Sequence, residues 1–309
     1  MNIIYIGTPE FAAPILESLH TAGHNIDLVI SQPDKPMGRG KKLQATPVKE
    51  KALKLGLEVY QPENVNDEEA ISTIKSINPD IIVVAAYGQI LKTELLNLPK
   101  YGCINVHASL LPKYRGAAPI NWAIIDGETE TGVTIMKMEE GLDTGDMILK
   151  GKIEISDDDD YITMHDKVAN LGAKLILEAI EVIENGKAIY RPQDSSKSSY
   201  APMIFKNTGK IDWSKSGRDI FNLVRALRPW PVAFTDYDGV NIKIHRVEFL
   251  EKANDEPQGK VLKVSKEGIY VSVNDGYIII KELQFPGKKV LSVSQYLAGN
   301  SIEEGIILK

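Results

Sequence analysis

The sequence predicts an α/β protein in two parts: a mixed sheet of mainly parallel strands flanked by helices, then a small β-barrel. Three observations predict it. Apolar strand-like runs alternate with helix-like runs from Asn2 to Val84, the rhythm of βαβ units. Beyond Asp146 two strand-like runs follow their neighbours too closely for helical crossovers, so the sheet turns antiparallel there. After residue 206 the runs shorten and are punctuated by Asp238-Gly239 and Asp275-Gly276, the pattern of a compact barrel.

Asn2-Ile3-Ile4-Tyr5-Ile6 is a buried-type strand. Gly7-Thr8-Pro9 turns it, with Thr8 expected as N-cap and Pro9 as the first residue of a helix reaching about Gly23. Ile26 to Ile30 form the second strand. The first turn has one glycine in place of G-x-G-x-x-G, and strand two ends without an acid to hold a ribose, which argues against a nicotinamide-dependent dehydrogenase. Gln32 to Leu43 is a long connection carrying Lys35, Arg39, Lys41 and Lys42, two glycines, and the apolar Met37 and Leu43. Composition alone allows a solvated basic loop. The same features suit an RNA backbone by charge, with an apolar residue to wedge against an end base pair.

Helices over Val48 to Leu55 and Asp67 to Ile77 alternate with strands over Leu57 to Tyr60 and Asp80 to Val84. Ala85 to Leu91 leaves the last strand at its carboxyl end, where open α/β sheets bind ligands. Gly102 to Pro112 then carries the chemistry. It is a short strand running into a polar turn, and alternation puts Asn105 and His107 on one side. An Asn amide can donate to a developing oxyanion, and an imidazole can move a proton beside it. Either residue alone would equally serve as a satisfied core or turn group. Gly116, Ala117 and Ala118 are small enough for a ligand to approach the backbone. Gly132 to Met138 is another strand, and it feeds a loop in which Gly141 and Gly145 permit tight turns, so Asp143 is expected to be fixed in place.

Met147 to Leu149 and Lys152 to Ile155 are the two closely spaced strands. Asp157 to Asp160 reads as a solvated acidic start to the next helix. That helix spaces Met164, Val168, Leu171, Leu175, Ala179 and Val182 along one stripe, stops at Asn185-Gly186, and leaves His165 at the rim. Ile189 to Lys206 has no period and reads as a linker, which divides the chain into domains at 1–188 and 207–309. The second holds a helix from Gly217 to Leu227 and five strands, Ala233 to Asp236, Asn241 to Leu250, Gly259 to Val264, Gly268 to Val273 and Tyr277 to Leu283. Arg225, Arg228 and Trp230, with Pro229 and Pro231, could touch RNA; bracing between linker and barrel is the preferred reading.

Asn105, His107 and Asp143, embedded in N-V-H-A-S-L-L-P and G-V-T-I-M-K-M-E-E-G-L-D-T-G-D, resemble the active-site pattern of the 10-formyltetrahydrofolate-dependent formyltransferases. The likeness runs the length of the chain and is strongest to the branch acting on methionyl-initiator tRNA. The resemblance implies a Rossmann-like formyltransferase domain with an OB-like C-terminal barrel that binds tRNA, and Asn105, His107 and Asp143 as catalytic residues. It further implies that Tyr87, Gly88, Gln89, Ile90 and Leu91, with Ser109, Leu110, Leu111 and Pro112, border the folate. Lys35, Met37, Arg39, Lys41 and Lys42 would meet the acceptor stem. 10-Formyltetrahydrofolate would be a cosubstrate, leaving as tetrahydrofolate, and no metal is needed because its formyl group is already activated. A formyltransferase of sugar-nucleotide amines shares the triad but has no use for the basic loop, and a noncatalytic RNA-binding module has no use for the triad.

Composition agrees. Hydrophobic content of 43% and charged content of 25% belong to a soluble globular protein. The lone Cys103 excludes an internal disulfide and a cysteine-rich zinc site, and reads as a small apolar strand residue. With no membrane-length apolar run and no basic leader, a cytoplasmic protein is expected, and one apparent active site on two domains suggests a monomer. The net charge of -6 opposes indiscriminate nucleic-acid coating. Residues 205–309 hold 16 Lys+Arg against 13 Asp+Glu, so an RNA contact should be local.

Overall fold

The computed structural model describes residues 1–37 and 42–309. Arg39 and Lys41, singled out above for RNA contact, lie outside the described residues. The contacts divide the chain into two compact units whose segments alternate along the sequence: Met1–Pro119, Thr131–Glu154 and His165–Ala201 form the first, and Ile120–Glu130, Ile155–Met164 and Pro202–Lys309 the second.

In the first unit the alternation of runs becomes β1 (Asn2–Gly7), α1 (Ala13–Thr21), β2 (Asn25–Ile30), a hairpin of β3 (Lys35–Met37) and β4 (Lys42–Gln44), α2 (Pro47–Lys54), β5 (Val59–Tyr60), α3 (Glu68–Ile77), β6 (Ile81–Ala85), α4 (Thr93–Leu96) and β7 (Cys103–His107). After β8 (Arg115–Gly116) come α5 (Pro119–Ile125), which beyond Pro119 belongs to the second unit, β9 (Glu130–Lys137), β10 (Met147–Glu154), α6 (Tyr161–Glu184), whose first turn also belongs to the second unit, and β11 (Tyr200–Ala201). The main sheet has the order β10-β9-β7-β6-β1-β2-β5. Strands β5, β2, β1, β6 and β7 are parallel and β9 is antiparallel to β7, so the sheet is mixed and Rossmann-like. Successive strands step outward from β1 through β2 and β5, then cross to β6 on its other side. Such a reversal opens a crevice at the carboxyl ends of β1 and β6.

Both faces of the central strands are covered, so their side chains are buried without alternation: Ile3, Ile4, Tyr5 and Ile6 are fully enclosed, as are Ile81, Ile82 and Val83. Two local expectations fail. Thr8 does not cap a helix; a short 3-10 turn at Glu10–Ala12 precedes α1, and the Thr8 hydroxyl instead donates to the Tyr87 carbonyl (3.1 Å) and accepts from the Gln32 amide (3.4 Å). Met147–Glu154 is one strand across Gly151 rather than two.

The second unit contains α7 (Gly217–Ala226), β12 (Ala233–Tyr237), β13 (Val240–Glu251), β14 (Val261–Ser265), β15 (Gly268–Val273), β16 (Gly276–Gln284), β17 (Leu291–Ser292) and α8 (Val293–Tyr296). These strands pair antiparallel, in the order β12-β13-β16-β15-β14, with β17 beside β16. Residues 305–309 close it: Gly305 and Leu308 donate to the Val261 and Gly259 carbonyls on one side, while Lys309 and Asp236 exchange backbone bonds on the other. Inside lie Ile244, Val271, Val273, Ile278 and Ile280, with Trp213, Ile220 and Val224 packed against them.

The acidic run before α6 is not simply solvated. Asp159 is 5% exposed and accepts from Ser156 N and Oγ and from Thr163 Oγ1, while Asp160 accepts from Thr163 N. Arg225 is buried within this unit, its Nη1 donating to the carbonyls of Ser156 (2.6 Å) and Asp159 (3.0 Å) and its Nε to Asn222 Oδ1. Trp230 is 55% exposed.

Candidate active site

Strand β7 positions the first two residues. Its alternation sends Ile104 and Val106 to one face and Cys103, Asn105 and His107 to the other; Asn105 pairs in register with Val84 of β6 and Met136 of β9, beside the crevice. Asn105 is half-buried and His107 only 5% exposed. His107 Nε2 donates to the Tyr114 carbonyl at 2.9 Å, which fixes the ring, and Nδ1 faces Asp143 Oδ2 at 3.6 Å. Two oxygens thus face the two ring nitrogens, one of them within hydrogen-bond distance.

Asp143 reaches the pair from the loop between β9 and β10. Its backbone is left-handed (φ 52°), a conformation Asp tolerates better than most residues. Oδ2 accepts from the Gly116 amide at 2.8 Å, and Oδ1 from Asn105 Nδ2 at 3.4 Å. One carboxylate therefore touches both strand residues and a backbone donor. Gly145 keeps the loop against β9, because a Cβ there would collide with the Lys137 carbonyl. Gly116 is small for a different reason from the one expected: with φ 114° it pairs beside β11, and a Cβ would press on the Ala201 carbonyl and the Tyr200 ring.

The residues expected to border the folate fall in two loops, at the carboxyl ends of β6 and β7, and differ in exposure. In the first, Ala86 (φ 47°) and Gly88 (φ 91°) alternate exposed backbone with buried side chains: Tyr87 and Leu91 point inward while Ile90 is 73% exposed. Gln89 ties the loop to residues 63–65 through Glu63 O and Val65 N. The Tyr87 hydroxyl is buried without a hydrogen-bond partner among the described residues, and burial pushes the phenol up to about 12. In the second loop Ser109 is fully buried, its hydroxyl donating to Lys113 O; Leu111 is also buried, and its carbonyl accepts from Lys150 Nζ. Leu110 and Pro112 are half-buried. Ser109 and Leu111 hold the turn, and Leu110 and Pro112 are its accessible members.

The basic connection after β2 is in part a hairpin, β3 on β4 with Met37 opposite Lys42, and Lys35, Lys42 and Leu43 are exposed. Both its feet are tied. Asp34 accepts from Lys49 Nζ and Gln61 Nε2, each at 2.7 Å, and Gln61 also donates to the Gln32 carbonyl; Ser31 and Thr46 share a buried hydroxyl bond. The bonds from Gln61 and Lys49 hold the Asp34 carboxyl below the usual carboxylate range. His165 sits where expected, at the rim beside Asp166 and edge-on to Phe11. Among the described residues no three metal-ligating side chains cluster, and no helix is long and apolar enough to cross a membrane.

Sequence reasoning missed Gln193. Its Nε2 donates to the carbonyls of Asp143 (2.7 Å) and Gly145 (2.8 Å), and its Oε1 accepts from Arg115 Nη2 (2.8 Å) and Nε (3.1 Å). No local pattern marks it, because all its partners are 48 to 78 residues away in sequence.

Residues 1–180 match the model of the formyl transferase family and 203–301 that of the formyl transferase C-terminal domain. The methionyl-tRNA formyltransferases of Caldanaerobacter subterraneus subsp. tengcongensis and Clostridioides difficile are 51% and 50% identical to this chain, with the whole of both chains covered in each case. Among solved structures, an N-formyltransferase from Helicobacter canadensis with folinic acid and dTDP-3-aminofucose superposes with a TM-score of 0.67. It is 22% identical, with 90% of this chain and 97% of that one covered, and shares the fold.

Proposed function

The chain belongs to the formyl transferase family, and from that premise we propose that it moves the formyl group of 10-formyltetrahydrofolate to the α-amino group of methionyl-initiator tRNA. Full-length likeness near 50% identity to methionyl-tRNA formyltransferases supports the acceptor, while the sugar-nucleotide enzymes are similar at the level of fold. The observation that carries the chemistry is the convergence of Asn105, His107 and Asp143 at the carboxyl end of β7, one carboxylate in contact with both partners.

In the proposed mechanism the neutral amine attacks the formyl carbon, a C–N bond forms, and the carbonyl π pair moves to oxygen. Asn105 Nδ2 and the charged ring of His107 stabilise that oxyanion. As the tetrahedral centre collapses, the bond to N10 breaks; N10 gains a proton while the former amine loses one, with His107 moving protons and Asp143 orienting its ring. The loop at 86–91 offers exposed backbone and one apolar side chain, Ile90, which suits a flat heteroaromatic ring with amide-like edges. Leu110 and Pro112 would form the opposite border. The basic connection carrying Lys35, Met37, Arg39, Lys41 and Lys42 would meet the acceptor stem, and residues 205–309, which hold 16 Lys+Arg against 13 Asp+Glu, the rest of the tRNA. The reading places the enzyme in the cytoplasm, working as a monomer.

Transfer of labelled formyl from 10-formyltetrahydrofolate tests this, with methionyl-initiator tRNA, uncharged tRNA and a 4-amino-sugar nucleotide offered in parallel. Label only on the aminoacylated tRNA is the expected result. Label on the sugar nucleotide instead would keep the chemistry and overturn the acceptor.

A further inference from the structure

From 189 to 200 every residue is exposed except Gln193. In a tract with no helical or strand period, one amide turned inward needs a cause. The cause is visible in its partners: both amide hydrogens and the amide oxygen are used, the hydrogens on the carbonyls of Asp143 and Gly145 and the oxygen on the Arg115 guanidinium. These are the backbone of the carboxylate's own loop and the residue next to Gly116, whose amide binds the same carboxylate.

We infer that Gln193, held by Arg115, is a positioning residue for formyl transfer: it locks the left-handed backbone of Asp143 so that its carboxylate stays on His107 and Asn105. The inference rests on the reading of that triad given above. A left-handed non-glycine residue persists only where its surroundings over-determine it, and here the carbonyl of that residue is what the amide grips. Released, the loop can relax towards an ordinary backbone and swing the carboxylate off the ring. A misplacement of about 1 Å at a catalytic group can lower a rate on the order of 10²-fold. Arg115 stops the amide from flipping, because a flipped amide would set its NH2 against the guanidinium and its oxygen against two carbonyls.

The test is single-turnover formyl transfer by the full-length protein in four forms: wild type, Gln193→Leu, Asp143→Ala and the double variant, with Gln193→Glu measured beside them. Gln193→Leu is expected to lower the rate of the chemical step about 10- to 100-fold with unchanged binding of folate and tRNA. It should do nothing further in the Asp143→Ala background, where there is no carboxylate left to place. Gln193→Glu keeps the Arg115 partner but sets negative oxygens against two carbonyls, so it should be as slow as Gln193→Leu at an unaltered melting temperature. Equal losses from Gln193→Leu with and without Asp143, or a fully active Gln193→Glu, would overturn the inference and leave Gln193 as an anchor of the linker. Failure of the wild type to transfer formyl to methionyl-tRNA would sink the functional reading itself; wild-type transfer with active Gln193 variants sinks only the clamp.

Discussion

At the scale of single residues, the site divides into groups that a strand places and groups that loops deliver. Asn105 and His107 are placed by alternation on β7, so removing either side chain should leave the fold intact and remove chemistry. Asn105→Ala is expected to lower kcat about 10²- to 10³-fold, the usual loss for one oxyanion donor, and His107→Ala about 10²- to 10⁴-fold, with KM for folate little changed in steady-state assays. Cys103 shares their strand face but is fully enclosed, and burial pushes its thiol up to about 12. A thiol reagent at pH 8 should therefore modify it only after denaturation, and stoichiometric labelling of the native enzyme would contradict its burial. Residue types with a fixed local geometry were readable in advance: two side chains two apart on a strand share a face whatever surrounds them. Gln193 and the redirected Thr8 hydroxyl were not, because their partners belong to distant segments that meet only once the sheet has formed.

At the scale of elements, the parallel strands were legible because long apolar runs have no other soluble use. What escaped were elements whose identity depends on a neighbour. The Gly151 break hid the continuity of β10, and the polar composition of 35–44 hid a hairpin. The tie at that hairpin's base makes a separable prediction. Asp34→Ala removes the acceptor shared by Lys49 and Gln61, so the hairpin should lose its fixed direction: KM for methionyl-tRNA rises several-fold while KM for 10-formyltetrahydrofolate stays constant, as a paired titration of both substrates would read. The Asp34 carboxyl is held below its usual range in the fold, so its contribution is complete above the unfolded value and lost as pH falls through the lower, folded one. The tie therefore persists across neutral pH.

At the scale of the molecule, the barrel closes on residues 305–309. Each backbone bond contributes about 0.5–1.5 kcal/mol net, and buried Leu308 adds its apolar area. Deleting these residues should cost roughly 3 kcal/mol, visible as a lower Tm in calorimetry; an unchanged Tm would mean that the seam carries no stability. Arg225 marks a second dependence. It is buried, desolvation lowers its pKa, and its acceptors are main-chain carbonyls of Ser156 and Asp159, far earlier in the chain. The C-terminal barrel is accordingly no cassette. A fragment cut to begin at residue 203 would leave this guanidinium without its two carbonyl acceptors, so a version of the barrel meant to fold alone must carry 155–164 with it or hold an orphaned charge.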